Sequence, residues 1–151
     1  MSERVDKIAI GSDHAGVKYK ALTIKHLETK GIEVRDFGPF EDKSVDYPER
    51  IRPVAQAVAR GEFPVGIIFG GSGNGEAIVA NKIKGIRCAL CWNEDSARLA
   101  KEHNNANMIS MGQRMISEET VLKIVDAWLD AEFQGGRHLR RINQIEPDGS
   151  L

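Results

Sequence analysis

Val65-Gly66-Ile67-Ile68-Phe69-Gly70-Gly71-Ser72-Gly73-Asn74-Gly75-Glu76 is the stretch on which the reading of the fold turns. Residues Val65 to Phe69 carry no polar side chain, and a short apolar run of this kind reads as a central parallel strand buried on both faces. The glycines end the strand, and the spacing predicts a helix from Glu76 to about Ile83. A strand that passes through a glycine-rich loop into a helix is the building unit of an open parallel sheet.

Outward from this unit the same alternation continues in both directions. Lys7 to Gly11 reads as the first strand. Val17, Ala21, Ile24 and Leu27 recur at helical spacing before a stop at Gly31, and Glu33 to Phe37 follows as the second strand. A loop of turn formers, Gly38 to Ser44, leads through Val45-Asp46-Tyr47-Pro48 into a helix with Ile51, Val54, Ala55 and Val58 on one face, closed by Gly61. Beyond the glycine run, Ile86 to Cys91 is expected as a strand, Ser96 to Glu102 as a helix and Asn107 to Met111 as the fifth strand. A last helix places Val121, Leu122, Val125 and Trp128 together, ahead of a basic tail, Gly135-Gly136-Arg137-His138-Leu139-Arg140-Arg141. The expected fold is α/β: a single domain over residues 1–151, a three-layer α/β/α sandwich around a five-stranded parallel sheet.

Composition narrows the function classes. The chain has 151 residues, 41% of them hydrophobic and 28% charged, enough for one sizeable core. A formal net charge of -1, with the charges evenly spread, supplies no field for nucleic acid or an acidic membrane surface. No apolar stretch is long enough to span a bilayer, and the polar start at Met1 to Asp6 lacks the apolar core of a signal peptide, so a cytoplasmic enzyme is expected. Cys88 and Cys91 spell C-x-x-C, but residues three apart on a strand face opposite ways, and no second pair completes a zinc site. Buried thiols are expected there, and no metal or cofactor.

Ligands of open parallel sheets bind where loops leave the carboxyl ends of the strands. The loops after the first, third and fifth strands carry Asp13 and His14, the glycine run with Glu76, and Arg114; the segment before the fifth strand carries His103 and Asn104. The run Gly71-Ser72-Gly73-Asn74-Gly75 exposes backbone N–H groups at a helix start, suited to a phosphate or an oxyanion. It is not a dinucleotide fingerprint, because Glu76 stands where glycine or alanine is needed. Gly11-Ser12-Asp13-His14-Ala15-Gly16 has P-loop spacing but Val17 in place of the lysine. Glu76 alone reads equally as an ordinary first-turn acid. Beside an N–H-rich loop it also meets the two needs of aldose–ketose isomerisation, a base for the proton next to a carbonyl and donors for the enediolate oxygen. His14 and His103 are either functional or structural. Arg137 and Arg141, four apart, are either a phosphate clamp or a solvated helix end.

Several of these segments together resemble one family. Gly11-Ser12-Asp13-His14-Ala15-Gly16, Val45-Asp46-Tyr47-Pro48, Gly70-Gly71-Ser72-Gly73-Asn74-Gly75-Glu76, Ala80-Asn81-Lys82, Glu102-His103-Asn104-Asn105-Ala106-Asn107 and Gly135-Gly136-Arg137-His138 are similar, in order and spacing, to ribose-5-phosphate isomerase B. The resemblance runs from about Lys7 to Ile142. It implies a metal-free aldose–ketose isomerase of the pentose phosphate pathway, with a Rossmann-like or flavodoxin-like sheet, acting on ribose 5-phosphate and ribulose 5-phosphate. A homodimer or dimer of dimers with shared sites is implied as well. By the same resemblance Glu76 shuttles the proton and His103 opens the furanose ring. The Gly71 to Gly75 backbone with Ser72 holds the enediolate oxygens, and Asn74 in that loop is a substrate-binding residue. Asp13 and Asn104 bind sugar hydroxyls, with Tyr47 near the ring. His14, Arg114, Arg137 and Arg141 bind the phosphate, His103 and the tail arginines (in a segment of about 135–151) reaching in from a neighbouring subunit. Many members use a cysteine as base at the end of the third strand, where this chain has Gly70; it matches the subgroup with glutamate after the glycine loop. Related enzymes act on allose 6-phosphate or galactose 6-phosphate, and a phospho-sugar binder without turnover is a further alternative on the same fold.

Overall fold

The carboxyl and amino edges of one parallel sheet organise the computed structural model, which describes residues 4–40, 44 and 46–149. Residues 41–43 and 45, which belong to the loop expected after the second strand, lie outside the described residues. The strands are β1 (Lys7–Ser12), β2 (Glu33–Asp36), β3 (Val65–Gly70), β4 (Cys88–Leu90) and β5 (Met108–Gly112). All pair in parallel, in the order β2-β1-β3-β5-β4. The helices are α1 (Val17–Thr29), α2 (Tyr47–Ala59), α3 (Asn74–Asn81), α4 (Glu94–Asn104), α5 (Glu118–Asp130) and α6 (Arg137–Ile142).

Strand alternation sends each central strand's side chains into two separate cores. On one face Ile8, Ile10, Ile67, Phe69, Ile109 and Met111 pack against Leu27 of α1, Ala97 and Ala100 of α4, and Val121, Ile124, Val125 and Trp128 of α5. On the other, Ala9, Ile68 and Met108 meet Ile51, Val54, Ala55 and Val58 of α2 and Ala80 of α3. Each fully buried aliphatic side chain contributes about 1.5–3 kcal/mol relative to exposure, so two covered faces hold the sheet as the middle of three layers. β3 is buried along its whole length, as its apolar run requires. Cys91 lies in the first core and Cys88 against the second, so the C-x-x-C pair is divided by the sheet.

Element boundaries differ from the sequence reading for local reasons. Helix α3 begins at Asn74 rather than Glu76, because Gly73, at φ +83° and ψ -8°, makes the turn one residue ahead of it. β4 is only three residues long: the Asn107 side chain takes up Arg87 N (2.8 Å) and donates to Gly85 O (2.9 Å), holding that approach outside the regular ladder. Helix α4 starts at a reciprocal cap between Asn93 and Ser96 and continues through Asn104, so His103 and Asn104 stand in its last turn and not in a loop. Their position follows from direction. A helix that connects parallel strands runs back from the carboxyl edge to the amino edge, so α4 and α5 both end at the amino edge. Helix α6 packs on α4 there, with the His138 and His103 rings stacked at 4.3 Å between centroids. Among the described residues no helix is long and apolar enough to cross a membrane.

Candidate active site at the carboxyl edge

β1 and β3 are hydrogen-bonded neighbours, yet the chain leaves β1 for the β2 side and leaves β3 for the β4 side. The loops diverge at this switch point and open a crevice, the usual ligand position in an open α/β sheet. On the β1 side, Asp13 is anchored by its own N–H to Phe69 O (3.0 Å). Its Oδ1 accepts from Ala15 N (2.8 Å) and Gly16 N (3.1 Å), capping the short turn His14–Gly16. The Ser12 hydroxyl and His14 Nδ1 are buried beside it without a hydrogen-bond partner. Such groups are costly to leave unpaired.

On the β3 side the glycine loop is shaped by β5. The Ser110 hydroxyl donates to Gly73 O at 2.8 Å, fixing the left-handed residue before α3. Gly112 lies against the Ser72 backbone. Gln113 N donates to Gly70 O (2.8 Å) and Arg114 N to Gly71 O (3.0 Å), which brings the Arg114 guanidinium against Gly71. Ser72 Oγ accepts from Asn74 N and Asn74 Nδ2, both at 3.2 Å. The Tyr47 ring, at the start of α2, covers Gly75. Asp13, His14, Tyr47, Gly71, Ser72, Gly73, Asn74, Gly75, Glu76 and Arg114 therefore gather at one edge.

Glu76 is only 4% exposed. Its carboxylate lies over Gly70, in the space where a side chain at that position would begin; a Cβ there would overlap it. A residue from the first turn of α3 thus delivers its carboxylate to the tip of β3. Burial holds the Glu76 carboxyl above its ordinary value, with the nearby charge of Asp13 adding to the effect, while backbone N–H groups of Glu76 and Gly73 pull the other way. A carboxylate raised toward neutrality is a better general base. The thiols are moved out of use: burial pushes Cys91 up to about 12 and raises Cys88 as well.

Four residues do not join this cluster within one chain. His103 and Asn104 end α4, and Arg137 and Arg141 lie on α6; both are at the amino edge, across the sheet from Glu76. Burial lowers the His138 pKa, and the charges of His103, Arg137 and Arg141 lower it further. Two contributors escaped the sequence reading. Ser110 is a lone polar side chain in the apolar strand Met108-Ile109-Ser110-Met111, a signal that was present; the use of Gly70 as empty space has no sequence signal of its own.

Fold and site together define an open-sheet α/β protein with a buried carboxylate and an N–H-rich loop at the switch point. Residues 8–145 match the family model described as ribose/galactose isomerase. Ribose-5-phosphate isomerase B of Escherichia coli is 43% identical over 139 residues, covering 92% of this chain and 93% of that protein. The crystal structure of a ribose 5-phosphate isomerase from Thermotoga maritima superposes with a TM-score of 0.92 at 46% identity, over 96% of this chain and 99% of the other. Ribose-5-phosphate isomerase B from Mycoplasma genitalium, solved with bound ribulose-5-phosphate, gives a TM-score of 0.92 at 38% identity over 97% of each chain. The chain belongs to the ribose/galactose isomerase family.

The Gly70–Glu76 overlap has two measurable consequences. Gly70→Ala displaces only the end of a flexible side chain, so the thermal midpoint is expected to move by a few degrees while isomerase turnover falls on the order of tenfold to a hundredfold through displacement of the Glu76 carboxylate; unchanged turnover would contradict a catalytic use of this geometry. Between the ordinary glutamate pKa and the raised one the folded protein binds more protons than the unfolded chain, so this group's stabilising effect is lost as pH rises through that window. Glu76→Gln is therefore expected to melt at the same or a higher temperature than the parent at neutral pH, with the difference gone below about pH 4. A clearly lower melting temperature at neutral pH would show that the ionised carboxylate stabilises the fold.

Proposed function

We propose that the chain interconverts ribose 5-phosphate and ribulose 5-phosphate through an enediolate, with Glu76 carrying the proton between C1 and C2. The observation that carries this reading is the buried Glu76 carboxylate seated over Gly70 beside the glycine loop. A proton leaving C2 of the open aldose passes to Glu76, and the charge that develops on the carbonyl oxygen is met by backbone N–H groups of Gly71 to Gly75, with Ser72 and Asn74 beside them. The same carboxyl then returns a proton to C1 while the hydroxyl proton passes from O2 to O1, which leaves the carbonyl at C2. His14 and Arg114 receive the phosphate; Asp13 and Tyr47 line the sugar.

His103 opens the furanose ring, Asn104 binds a hydroxyl, and Arg137 and Arg141 close on the phosphate, all four from a second copy of the chain in a homodimer or dimer of dimers. Their position at the amino edge supports this, since the Glu76 of the same chain lies at the other end of the strands. On this reading residues 1–151 act as one isomerase domain without metal or cofactor, in the cytoplasm, where phosphorylated sugars are retained.

Glu76→Gln keeps size and polarity but removes the base. Turnover of ribose 5-phosphate is expected to fall about a hundredfold or more with binding retained, and incorporation of solvent deuterium into the sugar is expected to cease. Wild-type exchange in the variant would remove Glu76 from the mechanism. Co-refolding Glu76→Gln with an Arg137→Ala/Arg141→Ala protein is expected to restore part of the activity by forming one intact shared site; no recovery in verified mixed dimers would place the whole site in one chain.

A further inference from the structure

The end of α4 is held by contacts that the isomerisation chemistry does not use. The last carbonyls of a helix have no partner within it and need one from elsewhere. Here the Arg87 side chain supplies two: Nε donates to Asn104 O and Nη2 to Asn105 O, each at 2.9 Å. Asn105 itself sits at φ 43° and ψ 47°, the only non-glycine residue with positive φ among the described residues. This is the left-handed conformation in which many helices end, and asparagine accepts it more readily than other non-glycine residues. Around Arg87 those contacts form a connected set. Asn107 Oδ1 accepts from Arg87 N (2.8 Å), Asn107 Nδ2 donates to Gly85 O (2.9 Å), and Glu146 Oε1 accepts from Gly85 N (2.8 Å).

We infer that Arg87 is a positioning residue for ring opening, its forked guanidinium fixing the left-handed turn that follows His103 and Asn104 so that the imidazole meets the furanose in one orientation. The inference rests on the reading above in which His103 opens the ring. Two fixings act on His103 from different directions: the His138 ring stacks on it at 4.3 Å and 11° from α6, and Arg87 ties down the backbone immediately after it. A group that transfers a proton to or from a ring oxygen must come within about 2.6–3.2 Å of it, and a displacement on the order of 1 Å costs about a hundredfold. The side chain has to be arginine for this task, because lysine offers a compact ammonium and not a planar fork that spans two successive carbonyls.

The two sugars separate ring opening from proton transfer. Ribose 5-phosphate enters as a furanose, whereas ribulose 5-phosphate, with its O5 esterified, is open and meets Glu76 without any ring step. Arg87→Met is expected to lower turnover of saturating ribose 5-phosphate at least tenfold, while exchange of the C1 hydrogen of saturating ribulose 5-phosphate with deuterated water, followed by NMR, stays within about twofold. Arg87→Lys, which preserves charge and bulk, is expected to fall between, and it reads the same ratio should the methionine variant fail to fold. On a His103→Asn background the Arg87→Met change is expected to cost less than about twofold in ribose 5-phosphate turnover, since both act through one group. Equal loss in the two assays, no loss in either, or full additivity with His103→Asn would overturn the inference. Absence of turnover in the unmodified protein would overturn the activity reading itself, and this inference with it.

Discussion

The site depends on a missing side chain. Gly70 ends the central strand without a Cβ, and into that space the Glu76 carboxylate folds back from the first turn of α3. Everything around the crevice serves this placement. Gly73 turns the chain so that α3 starts close enough, Ser110 ties that turn to β5, and the bonds from Gln113 and Arg114 to Gly70 and Gly71 keep the loop against the neighbouring strand. Because the carboxylate is buried and faces Asp13, it is held where its proton affinity is raised, the condition a general base needs.

Helix direction is the second constraint. In a parallel sheet each connecting helix returns to the amino edge, so residues at helix ends cannot meet residues at strand ends of the same chain. His103 and Asn104 are bound by that rule, α6 with Arg137 and Arg141 packs on the same helix, and the Arg87 guanidinium holds the carbonyls of Asn104 and Asn105. The amino edge is as carefully held as the carboxyl edge, through hydrogen bonds to backbone rather than apolar packing alone.

The sequence was informative where side-chain type and periodicity carry the signal. The apolar run 65–69, the helical spacing of Val121, Val125 and Trp128, and the division of Cys88 from Cys91 across a strand all have their counterparts in the two cores. Boundaries were less legible because single hydrogen bonds move them. The Asn107 side chain takes the Arg87 N–H, and the turn at Asn105 lets α4 run on through His103 and Asn104. Neither effect leaves a mark in hydrophobic pattern.

By itself the sequence determined the α/β class, the five strands, the glycine loop and the suspicion attached to Glu76, because these follow from local propensities and from residue types that only a few chemistries require. Tertiary structure decided the rest. The order β2-β1-β3-β5-β4 depends on which strands bury both faces against helices remote in sequence. The meeting of Glu76 with Gly70, the stitching of residues 70–73 to 110–114, and the separation of His103 from Glu76 arise from chain direction and close packing between segments far apart in sequence. A linear pattern encodes which face a residue presents, whereas the space it finally occupies is set by the neighbours that surround it.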